Sequence, residues 1–379
     1  MYFLVLSFLK VRNPLRKWIQ PWLVVLVLSL LYVGLTLVRY DGDPMAFVLP
    51  GTRYSEPDPA GTPGYDGQFA YYIASDPFAG CPRCDVPAYR LQRIVYPLMA
   101  WALALGRVAW VPWTLIVINI VALAGGTYIT QRLLGMHRVS EWYALLYGLY
   151  GGLVAGLRLD LTEPLAYGLI QAALWAWARR RHGLADVLWV LAALAKETAL
   201  IAVAGLVLHL LLTRRWREAM HTVLAVGVPF LIWQGILWAW VGAPGIGSGG
   251  DMATGFEVIP FGGLWRVATI SWPAFGLLLL IEGPLFVFPA IWALVLAGRD
   301  IWRGRNHPWV GVLLVQAAVL PFLPFSTWRE PLAMARLAAG LVAAILLYGA
   351  LRRSRRVLAV GFLELATLAL LLNESVLPV

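Results

Sequence analysis

The chain is poor in charge. Only 13% of its 379 residues are Asp, Glu, Lys or Arg, 60% are hydrophobic, and the mean hydropathy is +0.73. Soluble domains carry roughly a quarter of their residues as charges, so this composition excludes one and indicates a polytopic membrane protein. Acidic residues are the scarcer sign, 20 against 30 basic, for a net charge of +10. The surplus is not spread as a nucleic-acid footprint but falls in clusters between apolar runs, where it reports topology. There are two cysteines, too few for a disulfide scaffold. Cys81-Pro82-Arg83-Cys84 lacks the two further ligands that zinc would need and suits a local disulfide on an oxidising face. Five histidines fall mostly at the ends of apolar runs beside basic residues, so a histidine base on the opposite face is not expected. No internal repeat is visible, and no polar stretch is long enough for a separate soluble domain.

What is present is a series of apolar runs between Trp22 and Leu372, each near the length of a bilayer core and therefore helical in lipid, where backbone groups must pair internally. No small-residue cleavage site follows Lys10, Arg12, Arg16 and Lys17, so the first run reads as an uncleaved span. The clusters at Lys10 to Lys17, Arg132 with Arg138, Arg179 to Arg181, Arg214 to Arg217, Arg299 to Arg305 and Arg352 to Arg356 mark cytoplasmic connections. The fold class that follows is all-α, a membrane bundle of about eleven spans with the N-terminus inside. The first outer loop, residues 39–112, should carry two juxtamembrane helices, near Gln68 to Ala74 and Tyr89 to Leu105. The apolar stretch from Leu184 to Leu212 joins two clusters of the same side yet is too short for two full spans. A broken hairpin with Lys196-Glu197-Thr198 at its apex satisfies that parity. Residues 1–217 then form one membrane module, which residues 218–379 complete.

Ionisable residues at membrane depth are costly and so mark sites. Asp66 lies between Gly64-Tyr65 and Gly67-Gln68, at the mouth of the first loop helix. It can cap that helix, or it can take a proton from an attacking hydroxyl, and it is the candidate catalytic base. Arg158, Asp160 and Glu163 cluster where a span begins, so both carboxylates can face one outer cavity. They could orient a substrate hydroxyl, fix Arg158 or Lys196, or hold a divalent cation, although two carboxylates alone do not specify an ion. Lys196, with Glu197, is either a structural ion pair or a cation for a leaving phosphate. Arg329 and Arg336 can add a second anion-binding cluster, while Tyr65 and Gln68 flank the base. Arg90 and Arg93 suit lipid phosphates at the surface, and Glu282 is an intramembrane acid without an assigned role.

Tyr65-Asp66-Gly67-Gln68-Phe69, then Tyr72-Ile73-Ala74, Tyr96-Pro97-Leu98, Arg158 with Asp160 and Glu163, and Leu194-Ala195-Lys196-Glu197-Thr198 together resemble the GT-C superfamily of membrane glycosyltransferases. The likeness is to the branch of protein mannosyltransferases and lipid A aminoarabinose transferases, and it covers roughly residues 20 to 215. In that branch the loop acid is often Asp-Glu, whereas here Gly67 follows Asp66, and the soluble C-terminal domain of some members is absent. The resemblance implies an inverting transferase of the extracytoplasmic face of a bacterial inner membrane. It implies a polyprenyl-phosphate-linked sugar donor, an acceptor glycan, lipid or protein, surrounding membrane lipids, and no nucleic acid. A different class remains open, a transporter or flippase for a lipid-linked or anionic solute, in which the same charges would line a translocation path.

Overall fold

The computed structural model describes residues 19–56 and 58–372. Lys10 to Lys17, the most N-terminal basic cluster, lies outside the described residues. The chain is all-helical, and no strand occurs among the described residues. Five helical stretches are long and apolar enough to cross a membrane: Pro21–Arg39, Val108–Met136, Trp216–Val241, Trp272–Trp302 and Pro331–Leu351.

The elements needed below are α1 (Pro21–Arg39), α2 (Gly67–Ser75), α3 (Pro87–Leu91), α4 (Val95–Leu103), α5 (Val111–Met136), α6 (Gly151–Arg158), α7 (Glu163–Ala178), α8 (His182–Ala195), α9 (Ala199–Leu212), α10 (Trp216–Val241), α11 (Pro308–Val319) and α12 (Pro331–Leu351). Proline opens or nearly opens α1, α3, α5, α7, α11 and α12. Its missing N–H costs nothing there and its fixed φ suits the first turn.

α12 is the axis of the bundle. It is buried along nearly its whole length, which fits its apolar residues on every face. α1 and α10 present most of their length outward, with Leu31, Leu35, Val223, Leu231 and Trp238 exposed. In water such a band would be a liability; against acyl chains it is the expected outer surface.

Two details shape the interior. The apolar stretch from Leu184 to Leu212 is a broken hairpin, α8 and α9, interrupted at Lys196, whose backbone is extended. The loop segment from Tyr89 to Leu105 is two helices, α3 and α4, with a break at residues 92–94. α4 is pinned to α5 by Asn119, whose Nδ2 donates to the Tyr96 hydroxyl at 2.7 Å and to the Gly156 carbonyl at 3.1 Å. A buried amide pays its desolvation only where such partners are supplied.

The helices run between two poles. At one lie His137, Asp300, Trp309, Arg352 and Arg353: Arg352 Nε donates to Asp300 at 2.9 Å, Arg353 Nε to the His137 carbonyl at 3.1 Å, and Trp309 Nε1 to His137 Nε2 at 3.0 Å. At the other lie the starts of α2, α7, α9 and α12 and the end of α8, around a cavity.

Candidate functional site

The cavity has a volume of about 410 Å³ and is bounded by the loop around Asp66, the hairpin break, the start of α12 and the glycine-rich connection near residues 248–256. Asp66 precedes α2 but does not cap it with its side chain, contrary to the capping alternative. Its carboxylate is taken instead by two guanidiniums: Arg90 Nη1 donates to Oδ1 at 2.9 Å and Arg336 Nη2 to Oδ2 at 3.0 Å. The close fit of α2 follows from Gly67, where any Cβ would collide with the Leu159 carbonyl oxygen. Only glycine lets the Asp66 turn lie against the 159–160 turn.

Glu163, the first residue of α7, is fully buried and accepts from Lys196 Nζ at 2.7 Å and from Arg336 Nε at 2.7 Å. Arg336 therefore bridges Asp66 to Glu163. Its Nη1 also reaches the Tyr65 hydroxyl at 3.2 Å, and that hydroxyl donates to Glu330 at 2.9 Å. Five of the residues selected from sequence, Tyr65, Asp66, Glu163, Lys196 and Arg336, thus form one hydrogen-bonded network, although they are separated by up to 271 positions. Arg329 lines the same cavity.

Other expectations are redirected. Arg158 leaves the site, donating to the Ala46 carbonyl at 2.6 Å and lying 5.7 Å from the Phe47 ring centroid. Lys196 pairs with Glu163, not with Glu197. Glu197 instead clasps Arg93 through two bonds, at 2.8 and 2.6 Å. Arg90 and Arg93 are accordingly inward-facing partners of carboxylates and not surface ligands of lipid phosphate; a guanidinium this deep needs a carboxylate more than a headgroup. Gln68 braces the loop, accepting from the Gly51 N–H at 3.0 Å and donating to the Pro63 carbonyl at 2.7 Å. Asp160, buried at a positive φ, lines a smaller pocket of about 30 Å³ behind Asp66, and its oxygens have no hydrogen-bond partner among the described residues. Among the described residues no three His, Cys, Asp or Glu side chains converge as a metal site; Glu163 Oε1 is engaged by two cations, while its Oε2 has no hydrogen-bond partner there.

Sequence reading missed Asp85, which holds Arg90 through two bonds of 2.7 Å. The available signal was the requirement that Arg90, in an apolar segment, find a carboxylate. Cys81 and Cys84 are joined in a disulfide beside it in the loop.

Electrostatics follow from this pairing. Burial by itself would push the Asp66 carboxyl up, but Arg90, Arg336 and Arg93 outweigh it and hold the group well below the usual carboxylate range. Asp85 is likewise lowered, because the bonds and charge of Arg90 overcome its burial. The Tyr65 hydroxyl is pushed up by burial, so it remains a donor.

Protein-family profiles, curated proteins and solved structures give no match to this chain. What the cavity does therefore rests on its own residues. The same cavity is lined by apolar Ile201, Val319, Leu320, Leu323, Leu337 and Leu341, contributed by α9, α11, α12 and the turn after α11. An ionised carboxylate, several fixed cations and a hydrocarbon-like wall share one chamber, suited to a ligand that is anionic at one end and apolar at the other.

Proposed function

We propose that the chain is a membrane glycosyltransferase that takes a sugar from a polyprenyl-phosphate-linked donor and passes it to an acceptor at the extracytoplasmic face, with inversion. The observation that carries this reading is the placement of Asp66, Lys196 and Arg336 in one cavity beside an apolar wall. The donor's phosphate would meet Lys196 and Arg336, each of which keeps N–H groups beyond those bound to Glu163. Its chain would lie along Ile201, Val319 and Leu337.

In the reaction the acceptor oxygen attacks the anomeric carbon while the bond from that carbon to the phosphate oxygen breaks, and the lipid phosphate departs with the electron pair. Fixed cations stabilise that charge, and a phosphate needs no general acid to leave. Asp66 accepts the acceptor's proton. Strong basicity is not required: once the new carbon–oxygen bond forms, the attacking oxygen carries positive charge and yields its proton to any ionised carboxylate in reach. The low proton affinity that Arg90 and Arg336 impose keeps Asp66 ionised for this role.

The finer architecture belongs to the same proposal. Helices that pass repeatedly between the basic pole and the cavity pole support about eleven crossings, shorter elements such as α8 and α9 included. α2, α3 and α4 would lie along the outer membrane face, residues 1–217 would form the catalytic module, and residues 218–379, which contribute Arg329 and Arg336, would complete it. Localisation to a bacterial inner membrane with the N-terminus cytoplasmic fits the basic clusters. A carrier or flippase would need matched access from both poles, whereas these ionised groups gather at one.

The test is transfer from a short-chain polyprenyl-phosphate sugar by purified protein in lipid. Asp66→Asn should abolish product while retaining expression and helicity. Full transfer by that variant, or solute flux without covalent product, would overturn the reading.

A further inference from the structure

When each cation that lines the cavity is assigned its partner, two remain. Arg90 is paired with Asp66 and Asp85, Arg93 with Glu197, Lys196 with Glu163, and Arg336 with both Asp66 and Glu163. Four carboxylates thus face four cations, so the inner network offers an arriving phosphate its spare N–H groups but no net charge; Asp251 and Glu330 also line the chamber, without a cation in ion-pair distance among the described residues. Arg53 and Arg329 line the same chamber, and neither has a carboxylate within ion-pair distance among the described residues. Arg53 Nε is moreover buried without a hydrogen-bond partner there. An orphaned buried guanidinium N–H is costly unless a ligand satisfies it.

Both arginines stand on braced backbone. Arg53 lies in the four-residue helix Thr52–Ser55, which is tied to Thr62 by Thr52 N–H to Thr62 Oγ1 at 3.2 Å, Thr62 N–H to Thr52 Oγ1 at 3.0 Å and Arg53 N–H to the Thr62 carbonyl at 3.2 Å. Arg329 ends the short helix Phe325–Trp328, its guanidinium carbon 5.8 Å from the Phe325 ring centroid.

We propose that Arg53 and Arg329 form an anion subsite that takes the non-bridging phosphoryl oxygens of an apolar-tailed phosphate ligand, supplying two guanidiniums that no carboxylate among the described residues engages. Arginine suits this task because its fork of N–H groups matches phosphate oxygens and stays charged. The identity of the ligand rests on the glycosyltransferase reading; the subsite itself rests on the unpaired charges and the cavity.

The experiment measures equilibrium binding of a short-chain prenyl phosphate, the matched prenyl alcohol and inorganic phosphate to the purified full chain in detergent. Arg53→Gln and Arg329→Gln are compared singly and together. Each single change should weaken prenyl phosphate binding by roughly tenfold, as expected for a lost charge-assisted hydrogen bond, and leave the alcohol within about twofold. Because neither arginine neutralises a carboxylate, both variants should keep the wild-type unfolding midpoint. Unchanged phosphate binding by the double variant would overturn the proposal, as would equal loss of phosphate and alcohol. Equal affinity for inorganic phosphate would also overturn it, since the apolar wall would then contribute nothing. Arginine-dependent binding without any transfer product would instead sink the transferase reading and leave the subsite standing.

Discussion

Asp66 carries two requirements that pull apart, ionisation and accessibility. Its side chain keeps about a third of its surface exposed while two guanidiniums hold it, with relative exposure 34% in both pairs. Because those cations lower its proton affinity, the carboxylate stays charged through the range in which a free Asp titrates, near pH 4. The sign follows: a depressed group contributes its ion-pair stability above the unfolded value and loses it only as pH falls through the lower folded one. Transfer should therefore show no acidic limb from Asp66 between about pH 5 and 8. Arg90→Gln removes one of the cations, so it should move the limb upward toward the ordinary carboxylate range. A pH–rate profile unchanged by that substitution would exclude Arg90 as the group that sets Asp66.

Glu163 differs in kind. It is fully buried and holds two cations, and among the described residues it is the one carboxylate within ion-pair distance of Lys196, so its truncation strands that charge. Removing one member of a buried pair typically costs about 3–5 kcal/mol. Glu163→Ala should depress the unfolding midpoint in detergent far more than Asp66→Asn does, because Asp66 retains its shape as Asn and faces the cavity. These residues were legible singly, since each breaks an apolar or loop pattern. Their partners were not: Arg93 meets Glu197 across 104 positions, and nothing local distinguishes that pairing from a Lys196–Glu197 pair.

At the scale of elements, the hairpin was legible through arithmetic, as two same-sided basic clusters stand too close for two full spans. The structure adds how its second arm is seated. α9 crosses α11 at Gly205 and Gly311, where a Cβ on either would press into the other's backbone. In lipid, where apolar tails compete with apolar side chains, such close backbone approach is a main source of helix–helix attraction. Gly205→Leu should therefore destabilise by about 1–3 kcal/mol through overpacking, read as a lower unfolding midpoint. It should also impair the cavity, whose wall draws on both helices through Ile201 and Val319. The glycine-rich connection was expected only as a loop. It is fastened at both sides of the chamber, by the Asp251 N–H to Asp85 at 3.1 Å and by reciprocal bonds between Thr254 and Ser326 at 3.1 and 3.0 Å. These fastenings depend on residues 72 to 166 positions away, beyond any local pattern. Ser326→Ala removes the Oγ that accepts from the Thr254 N–H and leaves the Ser326 N–H bond to Thr254 Oγ1, so amide exchange over residues 248–256 should quicken; unchanged exchange would show that the remaining bonds suffice.

For the whole molecule, composition settled the class and charge clusters settled the poles, because both are sums that do not depend on which residues touch. α7, α9 and α12 run from the cavity toward the basic pole and α8 returns, so Lys196 and the clusters at Arg179 to Arg181 and Arg214 to Arg217 lie at opposite ends of the same short helices. If basic connections face the cytoplasm, the cavity opens outward, and that direction decides whether a sugar donor and its acceptor can meet there. The native cysteines are already joined, so a single introduced thiol reports its side without background. Ala60→Cys, exposed in the first loop, should react with a membrane-impermeant maleimide on intact cells. Arg303→Cys, exposed at the basic pole, should react only after permeabilisation. The reverse pattern would turn the chamber toward the cytoplasm, where soluble nucleotide-linked donors are at hand, and the lipid-linked donor would lose its rationale even with every ion pair in place.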